Sequence, residues 1–218
     1  CDSSLLEGNP IHEDMTEACA MLEPDFLLNT VFTPDGAVSE IVAGHWYKAW
    51  EKGCQDLLKM AGVKIKELAD VVIASAGGYP KDLNLYQSIK CHMNATFAVK
   101  KGGIMIFTLD CEDIKEPAIF TDCFSRSNLE QFEKDIREAF TVPAFVAFKG
   151  RNILSDVTAY LVTRPENFDF VKRTGHIPCA TLEEAWSLAQ AKLVEQGKHD
   201  YTITIMGHGS ATLPLLEQ

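Results

Sequence analysis

Gln87 and Lys90 stand three residues apart behind a glycine turn, and together they are suited to holding a small anion. The run is Ala74-Ser75-Ala76-Gly77-Gly78-Tyr79-Pro80-Lys81-Asp82-Leu83-Asn84-Leu85-Tyr86-Gln87-Ser88-Ile89-Lys90. Lys90 brings a compact ammonium with three donors, and Gln87 an amide that both donates and accepts. A helix N-terminus beside them adds partial positive charge from its unpaired N–H groups, so a carboxylate or phosphate is the natural guest. Side chains of these types also solvate surface helices, and the pattern alone leaves both readings open.

The elements that must position this pair are legible on either side of the turn. Asp70 to Ala74 is almost continuously apolar, as expected of a parallel strand covered on both faces, and its carboxyl end should carry the functional loop. Gly77 and Gly78 are candidate loop contacts to a ligand. Pro80 helps end the strand, and Asp82 is the expected cap of a helix running from about Leu83 to Lys100. On a helical wheel Leu85, Ile89, His92 or Met93 and Thr96 fall on the core side, with Gln87, Lys90 and Asn94 opposite.

Around this unit the chain alternates strand and helix: strands at Gly103 to Leu109, Val157 to Val162 and Tyr201 to Met206, helices at Asn128 to Ala139 and Leu182 to Glu195. That order predicts an α/β fold, a three-layer sandwich with a mostly parallel, Rossmann-like sheet. The opening segment differs. Asn9-Pro10 announces a helix, Pro34-Asp35-Gly36 a hairpin turn between Asp25 to Thr33 and Ala37 to Val42, and Gly44 to Met60 a helix whose Trp46, Tyr47 and Trp50 should lie in a core. The stretches Cys111 to Pro117 and Pro143 to Arg151 match no motif.

Thirty-one acidic against 20 basic residues give a net charge of −11, which opposes a phosphate-backbone footprint and argues against nucleic acid as a partner. Lys100-Lys101 and Lys149 to Arg151 read as solvated helix ends and turns. No apolar run approaches the roughly 20 residues that span a bilayer, so no membrane role is expected. The seven cysteines, Cys1, Cys19, Cys54, Cys91, Cys111, Cys123 and Cys179, are odd in number and never spaced C-x-x-C. Neither a disulfide framework nor a closed zinc site is indicated, and a reducing cytoplasm fits best. The six histidines form no H-x-x-x-H pair, and no metal site is assigned to them. His12 should cap or pack at its helix N-terminus, while His208, in a glycine-rich loop after a strand, is a candidate ligand contact. The start at Cys1-Asp2-Ser3-Ser4 has no initiator Met and no secretory features, and reads as a piece of a longer protein.

Two other classes share these features. A dinucleotide-dependent dehydrogenase would have the strand, turn and helix, but Gly77-Gly78-Tyr79-Pro80 is not G-x-G-x-x-G and no acidic residue ends a second strand about 20 residues on. A non-catalytic α/β module could recognise a small carboxylate or a partner protein without chemistry.

Four stretches in order favour a more specific reading: GNPIHEDM at 8–15, GGYPKDLNLYQSIK at 77–90, KKGGIMI at 100–106 and GHGSATLP at 207–214. They resemble the nickel-pincer-dependent lactate racemases, in their later half only. The resemblance implies a 2-hydroxy acid racemase or epimerase that works by hydride transfer. Its cofactor would be a nickel-pincer pyridinium mononucleotide tethered to a lysine in an H-x-x-x-G-F-S-G-G-R-K segment. No such segment occurs in the 218 residues, and the family's proton-transfer histidines have no counterpart, so no catalytic residue and no bound cofactor are expected in this chain. The family's Y-Q-x-x-K portion falls on Tyr86, Gln87 and Lys90, which the resemblance makes substrate-binding residues for a small 2-hydroxy carboxylate. It further implies that residues 1–64 belong to the earlier catalytic domain, that 65–199 form the later, substrate-closing domain, and that 200–218 return to the first. The missing N-terminal domain would then be the natural partner, and without it the uncovered apolar faces should favour self-association.

Overall fold

Apolar runs bounded by turn residues fold this chain as two compact units divided between Val63 and Lys64. A computed structural model describes residues 3–125 and 128–217. Cys1, one of the seven cysteines, and Gln218, the end of the returning tail, lie outside the described residues.

The first unit is built from four elements. Helix α1 (Pro10–Leu22) opens as its Asn9-Pro10 signal dictates, with the Asn9 side chain accepting from the Ile11 N–H at 3.2 Å. Strands β1 (Leu27–Phe32) and β2 (Val38–Gly44) pair antiparallel, their turn closed by the Thr33 N–H donating to Ala37 at 2.8 Å. Helix α2 (Trp46–Ala61) packs on this hairpin. Among the described residues of the unit only Val31, Val42 and Ala49 are buried apolar groups. The expectation of a core formed by Trp46, Tyr47 and Trp50 is therefore corrected: all three are half-buried, and His12 stacks on Trp50 with ring centroids 4.8 Å apart. Two helices and a hairpin are too few to enclose three large rings. Leu22, Leu28, Phe32 and Ile41 stay exposed as well.

Strand β3 (Gly62–Ile65) leads into the larger unit, whose elements are β4 (Ala69–Ser75), α3 (Leu85–Thr96), β5 (Val99–Thr108), α4 (Ala118–Thr121), α5 (Leu129–Glu138), α6 (Val142–Ser155), β6 (Thr158–Val162), α7 (Phe168–Thr174), β7 (Ile177–Cys179), α8 (Leu182–Glu195), β8 (Ile203–Met206) and β9 (Leu213–Leu216). Five strands form one sheet in the order β7-β6-β5-β4-β8, and every pairing in it is parallel. On one face Val72, Ala74, Met105, Phe107 and Leu161 meet α3, α5, α6 and α7. On the other, Val71, Ile104, Ile106 and Tyr160 meet α8 alone. Alternate residues of β4 and β5 thus feed opposite cores, which is why both strands read as unbroken apolar runs.

Two further readings are corrected, and one stretch left without a motif is placed. Residues 203–206 do not leave for the first domain: β8 pairs with β4, Val71 opposite Ile203 and Ala74 opposite Met206, because its backbone completes the open edge of the sheet. Only the last strand, β9, pairs elsewhere, with β3. Pro143 to Arg151 lies within α6, capped by Thr141, whose hydroxyl accepts from the Ala144 N–H at 3.3 Å. Its buried side is a stripe of small residues, Ala144, Ala147 and Gly150, too weak in apolar contrast to announce a helix by periodicity. Lys100 is no solvated helix end. It lies on β5 and bonds Asp70 at 2.8 Å, while Lys198 bonds the other carboxylate oxygen at 2.7 Å and Thr202 donates through both its N–H and its hydroxyl. Burial of Asp70 opposes its charge, but these donors outweigh it and hold the carboxyl far below the usual range. The cluster ties the starts of β4, β5 and β8 together.

Candidate functional site

The order of the strands locates the candidate site. From β4 the chain proceeds through α3 to β5, β6 and β7 on one side, then crosses by α8 on the opposite face to place β8 on β4's other side. The carboxyl ends of β4 and β8 therefore lie side by side where the strand order reverses, the place at which sheets of this kind receive ligands. The loops that follow these two strands carry Gly77, Gly78 and His208. They are pinned to each other: the Gly209 N–H donates to the Ser75 carbonyl at 2.7 Å, and the Asn94 amide of α3 donates to the Gly209 carbonyl at 2.8 Å.

Both loops need glycine for definite reasons. Gly77 has φ +101°, and a Cβ there would lie 2.9 Å from Nδ1 of His208, so the absence of a side chain lets the imidazole settle against the turn. A Cβ on Gly209 would lie 2.5 Å from the Cys91 sulfur, so only glycine lets this loop lie on α3. Burial pushes the Cys91 thiol up to about 12, which keeps it protonated and a poor nucleophile.

Helix α3 begins later than the sequence reading places it. The cap is Asn84, whose side chain accepts from the Gln87 N–H at 2.9 Å, and not Asp82. Asp82 instead gives its backbone carbonyl to the Cys111 N–H at 2.9 Å, and Leu83 likewise accepts from Asp113 at 2.9 Å. The segment before the helix is thus braced by the loop after β5. That loop is fixed in turn by Asn167, which donates to the Cys111 carbonyl at 2.9 Å. Nearby, Arg164 grips Asp110 through two bonds of 2.7 and 2.6 Å and holds that carboxyl below its ordinary value.

On α3, Leu85, Ile89 and His92 are buried, Met93 and Thr96 half-buried, and Gln87 and Lys90 exposed. Gln87, Cys91 and Asn94 follow one another at helical spacing, so the row that starts at exposed Gln87 leads to buried Cys91 and half-buried Asn94, the two residues that seat the Gly209 loop. Tyr86 is half-buried with its ring edge-on to Phe120 at 5.4 Å, a packing role that sets how far its hydroxyl can move. The structure brings Gly77 and His208 into contact. Among the described residues no hydrogen bond joins Tyr86, Gln87 or Lys90 to that loop. Sequence reading missed Asn94 as the link and Asn84 as the cap; Asn84, directly before Leu85, carried the signal. No group of three or more His, Cys, Asp or Glu among the described residues could hold a metal ion, and no helix among them is long and apolar enough to cross a membrane.

An all-parallel sheet flanked by helices, with a glycine turn and a polar helix start at the carboxyl end of β4, defines the class: a parallel α/β domain. Within that class, residues 64–213 match the lactate racemase C-terminal domain, and the chain belongs to this family. It is 32% identical over 194 residues to the lactate racemase of Thermoanaerobacterium thermosaccharolyticum, covering 87% of this chain and 45% of that protein. Over 108 residues it is 32% identical to the lactate racemase of Lactiplantibacillus plantarum, covering 50% and 25% respectively. The solved lactate racemase apoprotein of T. thermosaccharolyticum superposes with a TM-score of 0.86 at 29% identity, over 97% of this chain and 51% of that one. A Thermotoga maritima protein shares the fold alone, with a TM-score of 0.63 at 15% identity. The chain thus spans about half or less of the lactate racemases it matches.

Proposed function

We propose that this chain is the later part of a 2-hydroxy acid racemase or epimerase of lactate type, and that its larger unit binds the substrate carboxylate and closes over the reacting centre. The observation that carries this is the exposed Gln87 and Lys90 pair of α3, the helix that follows the glycine turn at the carboxyl end of β4, in a chain 32% identical to a lactate racemase over 87% of its length. Lys90 pairs with the carboxylate, Gln87 hydrogen-bonds the carboxylate or the hydroxyl, and the capped start of α3 contributes its dipole. Tyr86 flanks them, while Gly77, Gly78 and His208 line the loop side. Closure of the domain excludes water from the bound acid.

The hydride-transferring nickel-pincer cofactor is assigned to the part of the full-length protein that this chain does not span. The residues described here do not fit it: they include no metal-holding cluster, and the sequence has no lysine segment for its attachment. No residue of this chain is therefore given a step on it, and the chain by itself turns over no substrate. The N-terminal domain of the same protein is the partner that completes the site. The exposed apolar residues of the first unit, Leu22, Leu28, Phe32 and Ile41 among them, favour self-association when it is absent. No disulfide joins the six cysteines among the described residues, which suits a reducing, cytoplasmic setting.

The test is racemisation of lactate by the full-length protein produced with its maturation partners. Its metal content and intact mass are compared with those of the 218-residue chain. Nickel and an added cofactor mass on the full-length protein alone, with racemisation, support the reading. A matured full-length protein that carries neither overturns it in favour of a carboxylate-binding module.

A further inference from the structure

His92 lies on the buried side of α3, at 1% exposure, where its ring stacks on Phe107 of β5 with centroids 3.8 Å apart. Its Nε2 is 2.9 Å from Nε2 of His176, which follows α7 and is 6% exposed. At the outer ends, His92 Nδ1 meets the Ser88 carbonyl at 3.1 Å and His176 Nδ1 meets the Thr174 hydroxyl at 2.8 Å. That hydroxyl is also 2.6 Å from the Val171 carbonyl. The result is a chain of four links between two carbonyls, both of which can only accept.

Neutral imidazoles and one hydroxyl carry three protons for these four links. The Ser88 carbonyl requires the proton of His92 on Nδ1, so His92 Nε2 accepts and His176 Nε2–H donates. His176 Nδ1 then accepts from Thr174, whose hydroxyl gives up Val171. One added proton, on His176 Nδ1, returns Thr174 to Val171 and completes all four links. A second makes two imidazolium rings face each other at 2.9 Å, where they repel. No carboxylate or ammonium offsets this, for the only charged neighbour of either ring among the described residues is the other ring. The thiols of Cys91, next to His92 on α3, and of Cys111, in the loop after β5, are both pushed up to about 12 by burial and carry no charge in this range. Burial likewise pulls both imidazoles below their ordinary value, so at neutral pH the pair is uncharged and directional.

His92 follows Gln87 by five residues and Lys90 by two, which sets it about 140° and 160° from them around the helix. We propose that His92 and His176 are a positioning pair that locks the rotation of α3, and with it the direction in which Gln87 and Lys90 point, and that acid releases the lock. The part concerning Gln87 and Lys90 rests on the carboxylate site proposed above; the lock itself does not.

The experiment is nitrogen-detected NMR on the ¹⁵N-histidine-labelled 218-residue chain between pH 7.5 and 4, with amide exchange of α3 followed in parallel. The expected result is Nδ1–H on His92 and Nε2–H on His176 at neutral pH. Neither ring should titrate near 6.5, and α3 exchange, corrected for its intrinsic rate, should rise at least about tenfold as the pair takes up its second proton. His176→Gln keeps an N–H to offer His92 but removes one titrating ring, so neutral-pH protection should persist while the acid-driven rise, which needs two facing imidazolium rings, is lost. Other tautomers, an ordinary titration of either ring, or an acid response unchanged in the variant would overturn the lock. None of these readouts depends on substrate, so they fail or hold separately from the carboxylate site, which is tested by Lys90→Ala in the full-length enzyme.

Discussion

Lys90 is the residue on which the substrate reading concentrates. A charge-assisted contact to a carboxylate contributes about 1.5–3 kcal/mol, so Lys90→Ala in the full-length enzyme should lower kcat/KM by about one to two decades. Unchanged turnover of lactate would remove Lys90 from the site. Gly209 is the structural counterpart of that test. A methyl group placed 2.5 Å from the Cys91 sulfur has to displace the loop, so Gly209→Ala should cost about 1–3 kcal/mol in denaturant unfolding and loosen the contact between His208 and Gly77. The types and spacing of Gln87 and Lys90 were open to reading in the chain. The need for glycine at 209 was not, because its reason is a sulfur atom 118 positions away in sequence.

At the scale of the element, α3 joins local and distant determinants. Its cap is local: Asn84→Ala removes the acceptor for the Gln87 N–H and should destabilise the larger unit by about 1 kcal/mol, measurable as a shift in the denaturant midpoint. Its buried side answers to acid. Burial lowers His92 to about 4 from an ordinary 6.5 and lowers His176 as well, so the unfolded chain binds protons more tightly than the folded one in this range. The stability they confer is fully present above about pH 6.5 and is lost as pH falls toward 4, on the order of 3 kcal/mol for His92 alone. Urea unfolding at pH 7.5, 5.5 and 4.5 checks this, and a flat profile would contradict the buried neutral pair. Asp70, with its carboxyl held low, adds its own loss only below about pH 4. The wheel of α3 showed which side was buried. That His92 would find His176, rather than pack as one more apolar ring, depended on the α7 to β7 turn reaching the same layer.

For the whole molecule, the two units differ in how much they enclose. The larger one buries Phe107, Phe120, Phe132, Leu161 and many more, whereas the first buries only Val31, Val42 and Ala49 among its described apolar residues. In the 218-residue chain, residues 10–61 should therefore exchange amide protons faster than β4 and β5, and fluorescence from Trp46 and Trp50 should change at lower denaturant than that from Trp186 in α8. Coincident transitions in single-tryptophan variants would contradict this. The sequence by itself determined the strand, turn and helix around Gln87 and Lys90, the capped start of α1, the hairpin at Pro34 to Gly36 and the α/β alternation. Each is written in periodicity and turn chemistry within about 15 neighbouring residues. Tertiary structure alone decided that β8 joins β4 and so sets the His208 loop against the Gly77 turn, that Lys100 and Lys198 converge on Asp70, that the Trp46 cluster stays half-open, and that His92 meets His176. These depend on which faces come together across tens to more than a hundred residues, where burial and hydrogen-bond satisfaction, and not local propensity, select the partner.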